Sequence, residues 1–330
     1  HRDLHLSIRR QRQMCIRDRN ENATSLMSDR AFAFSWARYL GKNNRWWNEE
    51  IYSGMSPGGV KWGNQTKPEE LSILLWMTLI YGASGAMFWQ YRPDYMAFES
   101  PGYNLASLDG KPTQRLEAVS EDILKIKEIY EHLPLGFFNS QVAIMNHQLS
   151  HEIFTYNELG DEFIQEIRGL FRNFWSDGIQ ADIISPKTDL TNYKLILLPN
   201  ISIITDDVFN SINDVLNSNK DTNLIATSNF GLYSDNGLSS YNPPDKFSEK
   251  LGVRISDFST ITQEDINIGN NVLETPLGNY KIVKPTRFTI LEQTNGSEAV
   301  ALLNGNIVCI ENLNKNFSWY GFSFEALSNK

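Results

Sequence analysis

The hydrophobic positions in the first part of the chain follow alternating helical and strand periods. A helical period covers Ser25 to Leu40, and the aromatic run from Arg45 to Glu50 predicts a strand. After a Gly- and Pro-rich loop, Thr66-x-x-Glu69 has the spacing of a capping box and predicts a helix that ends near Tyr81. The next elements are the strand Ala86 to Gln90 and the helix TQRLEAVSEDILKIKEIYEHL. This order is typical of the C-terminal portion of a (β/α)8 TIM barrel, over residues 20–138.

The second part changes to short, continuously apolar strands that alternate with helices. The predicted strands are QVAIM, IQADII, YKLILLP and NLIATS, and the predicted helices cover Asp161 to Trp175 and Asp206 to Asn217. Strands of this kind predict a parallel sheet that is covered on both faces. Beyond Gly231 the sequence is rich in turns, and from Val272 it returns to short strands. The fold class is therefore α/β, with the second domain over residues 139–330.

Composition and charge exclude several classes of protein. The chain has 41% apolar residues and no apolar run long enough to span a bilayer, so no membrane association is expected. The net charge is −9, and residues 1–19 contribute +4 to it (six Arg, two Asp), which leaves −13 for the rest. A nucleic-acid role is not expected, because the basic patch that it needs is missing. Of the two cysteines only Cys309 lies in the body of the chain, so neither a disulfide framework nor a thiolate metal site is predicted.

The first nineteen residues differ from everything that follows. Residues 1–19 carry no helical or strand period and no signal-peptide core, and the run Met14 to Arg19 resembles a translated sequencing adapter. A basic tail or a transit peptide is the alternative interpretation. We expect that this segment is not native, that the native N-terminus is absent and that the chain is a fragment. The compartment is undetermined, and a cytoplasmic location is favoured.

Carboxylates and aromatic residues gather where the two predicted strands of the first domain end. Glu49 and Glu50 end the first strand, and a Gly-rich loop follows them. Catalytic side chains of barrels project from this end of the strands, but neighbouring residues face opposite ways, so only one Glu can enter the site. The second strand ends in Trp-Gln-Tyr-Arg92, and Glu99 lies downstream. Aromatic rings, an Arg and a carboxylate are groups that can bind a sugar. An exposed acidic strand end and ordinary core aromatics are the alternative interpretation.

Together these stretches resemble a known family. They are similar to strands seven and eight of glycoside hydrolase family 42 β-galactosidases. The shared features, in chain order, are Glu-x-x-x-Gly, a later Trp, an apolar helix, Gly-Ala-x-Gly, and Trp-Gln-x-Arg with a downstream Glu. The resemblance implies that Glu50 is the nucleophile, with Glu49 as the fallback, and that Trp62, Arg92 and Glu99 bind the substrate. Where members often carry a His, three residues after that Glu, this chain has Gly102, which weakens the assignment of galactose but not of a glycosidase.

The resemblance continues into the second domain. Val142-Ala143-Ile144, Gly178-Ile179-x-x-Asp182 and the stretch from Asp189 to Pro199 are similar to the family's flavodoxin-like trimerisation domain, which has the class I glutamine amidotransferase fold. It implies a homotrimer. Amidotransfer itself is rejected, because the segment NLIATSNFG has no nucleophilic Cys. Neither a Gly-x-Gly-x-x-Gly nor a P-loop motif is present, and no cofactor is expected.

The resemblance also implies what the chain lacks. In this family the acid/base Glu follows an Asn at the end of strand four, and the chain begins near strand seven. We therefore expect a retaining β-galactosidase that acts on β-galactoside oligosaccharides in the full-length parent, and an inactive fragment with uncovered apolar faces. Another β-glycosidase specificity and a non-catalytic carbohydrate-binding or assembly subunit remain as alternatives. His147 and His151 have helical ligand spacing, but we interpret them as a loop pair because no third ligand is nearby, and no metal site is predicted.

Overall fold

The computed structural model describes residues 23–41, 46–55, 65–96, 99–130, 140–218, 221–294 and 296–324. Backbone contacts divide the chain into two compact units, His1–Phe138 and Asn139–Lys330. Helices and strands alternate in the first unit and in the beginning of the second, so the α/β class predicted from the hydrophobic pattern is confirmed. Within the described residues, no helix combines the length and the hydrophobicity needed to cross a membrane.

The described part of the first unit contains a pair of parallel strands and the helices around them. Its elements are α1 (Ala23–Leu40), β1 (Trp47–Tyr52), α2 (Pro68–Ile80), β2 (Gly85–Trp89) and α3 (Gln114–Ile129). Strands β1 and β2 pair in parallel, and α2 lies between them in the chain, which makes a β-α-β unit. The core of this unit is formed by Phe34, Ile51, Leu71, Leu74, Leu105 and Val119.

The start of α2 differs from its prediction by one residue. The predicted capping box on Thr66 and Glu69 is wrong, because the cap is Lys67, whose backbone N–H donates to the Glu70 carboxylate at 3.0 Å. The shift follows from Pro68, which occupies the first helical position and so moves the cap to the residue directly before it. The Thr66 hydroxyl instead donates to the backbone carbonyl of Tyr52 at 3.4 Å, and this contact joins the loop before α2 to the end of β1.

Helix α3 buries only part of its apolar face. Thr113 caps it by accepting a hydrogen bond from the Leu116 backbone N–H at 3.4 Å, and Val119 is buried in the core. Farther along the same face, Ile123 and Ile129 are 39% and 38% exposed. Large apolar residues of the strands are exposed as well, namely Trp47, Met87 and Trp89. The described elements of this unit therefore leave apolar surface uncovered.

The second unit is longer and richer in strands. Its helices are α4 (Gln148–Tyr156), α5 (Gly160–Ser176), α6 (Asp206–Asn217), α7 (Ser248–Leu251) and α8 (Gln263–Ile268). Its strands are β3 (Val142–Met145), β4 (Ala181–Ile184), β5 (Leu195–Leu198), β6 (Ile203–Ile204), β7 (Asn223–Thr227), β8 (Tyr233–Ser234), β9 (Val253–Ile261), β10 (Val272–Thr275), β11 (Gly278–Lys281), β12 (Thr286–Gln293), β13 (Glu298–Leu303), β14 (Asn306–Asn312) and β15 (Phe317–Tyr320). Predicted helix α6 is confirmed at both ends, and the four predicted apolar segments form strands β3, β4, β5 and β7.

Nine of the strands of the second unit form one sheet. Its strand order is β11-β10-β13-β14-β15-β7-β5-β3-β4. The five strands from β4 to β15 pair in parallel, and β14 joins β15 antiparallel, so the late strands extend the sheet. The nine-residue strand β9 pairs antiparallel with β12 beside it. Strands β9 and β15 were not predicted, because each is defined by its pairing with strands that are distant in the sequence.

The core of this unit lies on both faces of the parallel strands. The central strand β5 is buried along Ile196, Leu197 and Leu198, which explains its continuous apolar sequence. At the centre of one face the aromatic rings of Phe230 and Trp319 meet edge to face, with centroids 5.7 Å apart. The Trp319 indole also donates a hydrogen bond of 3.0 Å to the carbonyl of Ser228. The late strand β15 is thereby fixed to the turn that follows β7.

Candidate functional site

The end of β1 carries the two candidate nucleophiles in different environments. Glu49 is exposed, whereas Glu50 is partly buried. The pairing of β1 with β2 shifts between Asn48 and Ile51, because three steps along β1 match two steps along β2. This is a β-bulge, an irregularity that commonly re-aims side chains near active sites, and the Glu pair lies inside it. The bulge interrupts the strict alternation that the sequence predicts for these two residues, and burial distinguishes them instead.

Tyr52 joins the Glu50 carboxylate. The two residues are two positions apart on β1, and their side chains are hydrogen-bonded across the end of the bulge. The pKa of the Tyr52 hydroxyl is raised well above its ordinary value, first by burial and then by the negative charge of Glu50. A phenol with a raised pKa stays protonated, so Tyr52 is the donor and Glu50 the acceptor. This contact orients the Glu50 carboxylate.

Glu99 lies in the same neighbourhood. Its Oε2 accepts a hydrogen bond of 2.9 Å from the indole Nε1 of Trp89, the last residue of β2. Trp89 is in register with Tyr52 on the neighbouring strand, and the charge of Glu99 also contributes to the raised pKa of Tyr52. The structure therefore brings together Glu50, Tyr52, Trp89 and Glu99 at the carboxyl ends of two parallel strands.

The loop after β2 returns to this place and adds a second tyrosine. The rings of Tyr52 and Tyr103 lie with centroids 4.8 Å apart. The backbone holds Tyr103 there, since its carbonyl accepts from the Gln90 N–H at 2.5 Å and its own N–H donates to Met55 at 2.8 Å. Sequence reasoning missed both tyrosines. The closeness of Tyr52 to Glu50 in the sequence was a usable signal, whereas Tyr103 arrives through a loop that no pattern predicts.

Gly54 explains the glycine in the Glu-x-x-x-Gly pattern. Its φ is +84°, a conformation that favours glycine. A Cβ at this position would lie 2.6 Å from the backbone nitrogen of Asn104, the residue after Tyr103. The missing side chain thus lets the loop after β2 pass close to the end of β1, which places Tyr103 against Tyr52.

The other candidate residues are placed differently. Arg92 is exposed, and its guanidinium donates to the backbone carbonyl of Leu108 at 2.9 Å, so it braces the loop after β2. This hydrogen bond is with backbone and not with Glu50 or Glu99. Trp62 lies outside the described residues. The structure therefore brings together two of the predicted site residues, Glu50 and Glu99, without testing the substrate role of any.

The two histidines do not form a loop pair. His147 precedes α4 as its cap, and its Nδ1 lies 2.9 Å from the Ser150 hydroxyl. His151 is inside α4, and its ring stacks on Phe163 at 5.0 Å between centroids. The loop interpretation is wrong because the apolar residues after His147 form a short helix that packs against α5. Nowhere in the described ranges do three or more His, Cys, Asp or Glu side chains gather in a way that could hold a metal ion.

Comparison with known proteins finds similar sequences and similar folds. Residues 140–291 match the profile of the β-galactosidase trimerisation domain. The chain is 25% identical over 162 residues to β-galactosidase GanA of Bacillus subtilis, a match that covers 46% of this chain and 24% of GanA. Gan42B, a family 42 β-galactosidase from G. stearothermophilus, has a similar fold with a TM-score of 0.79 at 14% identity, over 95% of this chain and 46% of that one.

A second solved structure has a similar fold. The β-galactosidase from Bacillus circulans sp. alkalophilus superposes with a TM-score of 0.76 at 16% identity, over 90% of this chain and 45% of that one. The chain thus spans less than half the length of each of these three proteins. Residues 140–291 thus match the trimerisation domain of β-galactosidases, and the fold of the chain is similar to that of family 42 β-galactosidases.

Proposed function

We propose that the longer protein represented by this chain is a retaining β-galactosidase that removes terminal galactose from β-galactoside oligosaccharides. The observation that carries the proposal is the hydrogen-bonded pair of Glu50 and Tyr52 at the carboxyl end of β1, beside Glu99 at the end of β2. A retaining glycosidase needs an ionised carboxylate that is aimed at the anomeric carbon. A tyrosine that donates to such a carboxylate stabilises its charged form and fixes its direction.

The chemical step follows from these groups. Glu50 attacks the anomeric carbon, a glycosyl-Glu50 ester forms, and the bond to the leaving oxygen breaks. That oxygen must receive a proton from a second carboxylic acid about 5 to 5.5 Å from the first. Water then attacks the ester, gives up a proton to the same second carboxylate, and releases galactose with its original configuration. We assign Glu49, which is exposed, no part in these steps.

Glu99 and the aromatic side chains supply substrate binding in this proposal. Trp89 holds one oxygen of the Glu99 carboxylate, which leaves lone pairs to accept hydrogen bonds from sugar hydroxyls. The exposed ring of Trp89 gives the sugar an apolar surface to rest on. Trp62 and Arg92 are proposed to bind the substrate as well, as the family resemblance implies. The acid/base carboxyl is proposed to come from a part of the barrel upstream of residue 20.

The architecture supports the same assignment. We infer that the first unit is the end of a (β/α)8 barrel, from its parallel strands β1 and β2 joined through α2. We also infer that the second unit is flavodoxin-like, because its parallel strands have the order β4-β3-β5-β7-β15, which is the order 2-1-3-4-5 of that fold. The match to a trimerisation domain supports a homotrimer, and a cytoplasmic location remains a prediction.

The test uses the complete protein, read from the gene upstream of Asn20. We expect it to hydrolyse nitrophenyl β-galactoside, Glu50→Ala to lower kcat by at least about 10³-fold, and Glu49→Ala to leave it within about threefold. Added azide should rescue Glu50→Ala by attacking the open anomeric face, and the product should be the α-galactosyl azide. Full activity of Glu50→Ala, or a β-azide product, would show that Glu50 is not the nucleophile. The 330-residue chain alone should be inactive, since it lacks the proton donor, and turnover by it would contradict this part of the proposal.

A further inference from the structure

A pocket of about 820 Å³ lies in the second unit, and no residue discussed above as catalytic lines it. It opens at the carboxyl ends of β5, β7 and β15, where Ser202, Ser228 and Ser323 line it. Ligands of open α/β sheets bind outside this edge, because the strands end there together and their following loops can be varied freely. The volume is in the range of small-molecule sites. The position and the size are those of a binding site.

A buried hydroxyl in this pocket lacks a partner. Ser202 is fully buried, and its Oγ makes no hydrogen bond to any described residue. Buried polar groups are almost always hydrogen-bonded, because an unsatisfied one costs about 1 to 3 kcal/mol. The backbone of Ser202 is fixed on both sides, by its N–H to Asn200 and by its carbonyl to Tyr233, both at 2.8 Å. Ser202 is therefore held in the pocket wall with its hydroxyl unsatisfied.

The floor of the pocket is rigid. The buried carboxylate of Glu166 accepts hydrogen bonds from the Thr227 hydroxyl at 2.5 Å and from the Asn200 side-chain amide. The Asn200 N–H in turn donates to the Thr227 hydroxyl at 3.3 Å. Asn200 and Ser228 both have positive φ, +51° and +50°, so each strand ends in a sharp turn. A network in which every member is engaged keeps the pocket-lining atoms in place before a ligand arrives.

The lining has the chemistry of a site for neutral sugars. More than half of the lining side chains carry a hydroxyl or an amide, groups that donate and accept hydrogen bonds as sugar hydroxyls do. Two aromatic residues, Phe154 and Tyr233, add apolar surface. Charged lining groups of both signs are present, and Glu162, Lys284 and Arg287 are all exposed. Glu162 is the one carboxylate of this lining, so the pair that glycoside hydrolysis requires is not assembled here.

We propose that this pocket is a non-catalytic binding site for a neutral mono- or disaccharide, separate from the Glu50 site of the first unit. The ligand would hydrogen-bond to Ser202, Asn200 and Asn229 at the strand ends and rest against Tyr233. This proposal does not depend on the assigned activity, because it is derived from the second unit alone.

The test measures sugar binding by the 330-residue chain with isothermal titration calorimetry and saturation-transfer NMR, using D-galactose and lactose, with inorganic phosphate as a third probe. Gln263→Trp places an indole in the pocket wall, and Glu264→Trp, one position on along α8 and outside the lining, is its matched control. We expect saturable sugar binding that falls at least about tenfold in Gln263→Trp, stays within about twofold in Glu264→Trp, and weakens about 3- to 10-fold in Ser202→Ala, the worth of one hydrogen bond.

The melting temperature of each variant shows whether it folds, and Ser202→Ala should not lower it, since the lost hydroxyl has no partner. Glu50→Gln should bind as the wild type does. The proposal is overturned by an absence of sugar binding, by binding that Gln263→Trp leaves unchanged, or by binding that Glu50→Gln abolishes. Binding of phosphate in place of the sugars would also overturn it and would assign the pocket to anions held by Lys284 and Arg287.

Discussion

Tyr52 donates a hydrogen bond to the carboxylate of Glu50, two residues before it on strand β1. The contact is local in sequence but depends on the rest of the unit. The ring of Tyr52 is held by Tyr103, which in turn depends on the close approach of Asn104 to Gly54. The arrangement of the candidate nucleophile can therefore be tested through residues that do not react themselves.

Tyr52→Phe removes the donor and keeps the ring. In the complete enzyme we expect kcat/KM to fall about 10- to 100-fold, since a hydrogen bond to a charged group contributes about 1.5 to 3 kcal/mol. The stacking on Tyr103 remains, so the melting temperature should change little. Tyr156→Phe, which alters an exposed phenol at the end of α4 in the second unit, is the control and should keep its activity. Equal kinetics for Tyr52→Phe and the wild type would mean that the hydroxyl does not orient Glu50.

Gly54→Ala tests the approach of the loop after β2. Gly54 and Gly110 both have positive φ, +84° and +82°, so alanine at either costs about 1 to 2 kcal/mol of backbone strain. Only the Cβ at position 54 meets Asn104, whereas the one at position 110 meets nothing within 4 Å. In thermal denaturation of the 330-residue chain, Gly54→Ala should therefore be less stable than Gly110→Ala by about 1 to 3 kcal/mol. Identical unfolding of the two variants would contradict the close approach.

Trp319→Ala tests whether β15 belongs to the core of the second unit. The side chain is fully buried, contacts Phe230 and donates to Ser228, so its loss should lower the free energy of unfolding by about 3 to 5 kcal/mol. Trp319→Phe keeps most of the volume and should lose about half as much. Ser318→Ala, on the opposite face of the same strand, should have an effect below about 1 kcal/mol in the same urea titration. A small loss in Trp319→Ala would place β15 outside the cooperative core.

His147 should make the stability of the second unit depend on pH. Burial lowers its pKa to about 4 from 6.5, although the charges of Asp207 and Glu152 oppose the shift. Between these values the unfolded chain binds a proton that the folded one does not, so stability is full above pH 6.5 and is lost as the pH falls towards 4. The free energy of unfolding should fall by about 3 kcal/mol across this range of pH. Urea titrations across this window should give a steeper pH dependence for the wild type than for His147→Gln, and parallel curves would refute the assignment.

The predictable parts of this molecule are those with local causes. The apolar runs of β3, β4, β5 and β7 and the helical periods of α3 and α6 follow from neighbouring residues, and the structure agrees with them. The end of β1 was found in the same way, because a strand that ends in carboxylates before a Gly-rich loop is a local signal. Glu50 was preferred to Glu49 on spacing alone, and its partial burial and its contact with Tyr52 favour the same residue.

What could not be predicted depends on residues distant in sequence. The pocket in the second unit joins Ser202, Ser228 and Ser323 from three strand ends, none of which carries a recognisable motif. Strand β15 is four residues long and is defined by its pairing with β7. The bulge in β1 appears only once β2 sets the register. Each of these is created by tertiary contacts, which a single sequence does not display.

The position of β15 in the chain also determines how long one edge of the sheet stays unpaired during synthesis. Strand β7 ends at Thr227, but its outer edge pairs with a strand that begins at Phe317. A ribosome adding about 5 to 20 residues per second leaves that edge open for roughly 5 to 20 seconds while the intervening residues are made. An unpaired, apolar strand edge is a surface on which another nascent chain can pair. Newly made copies of this protein therefore pass through an interval in which a chaperone, or a neighbouring copy on the same messenger RNA, can reach the sheet before its own last strand does.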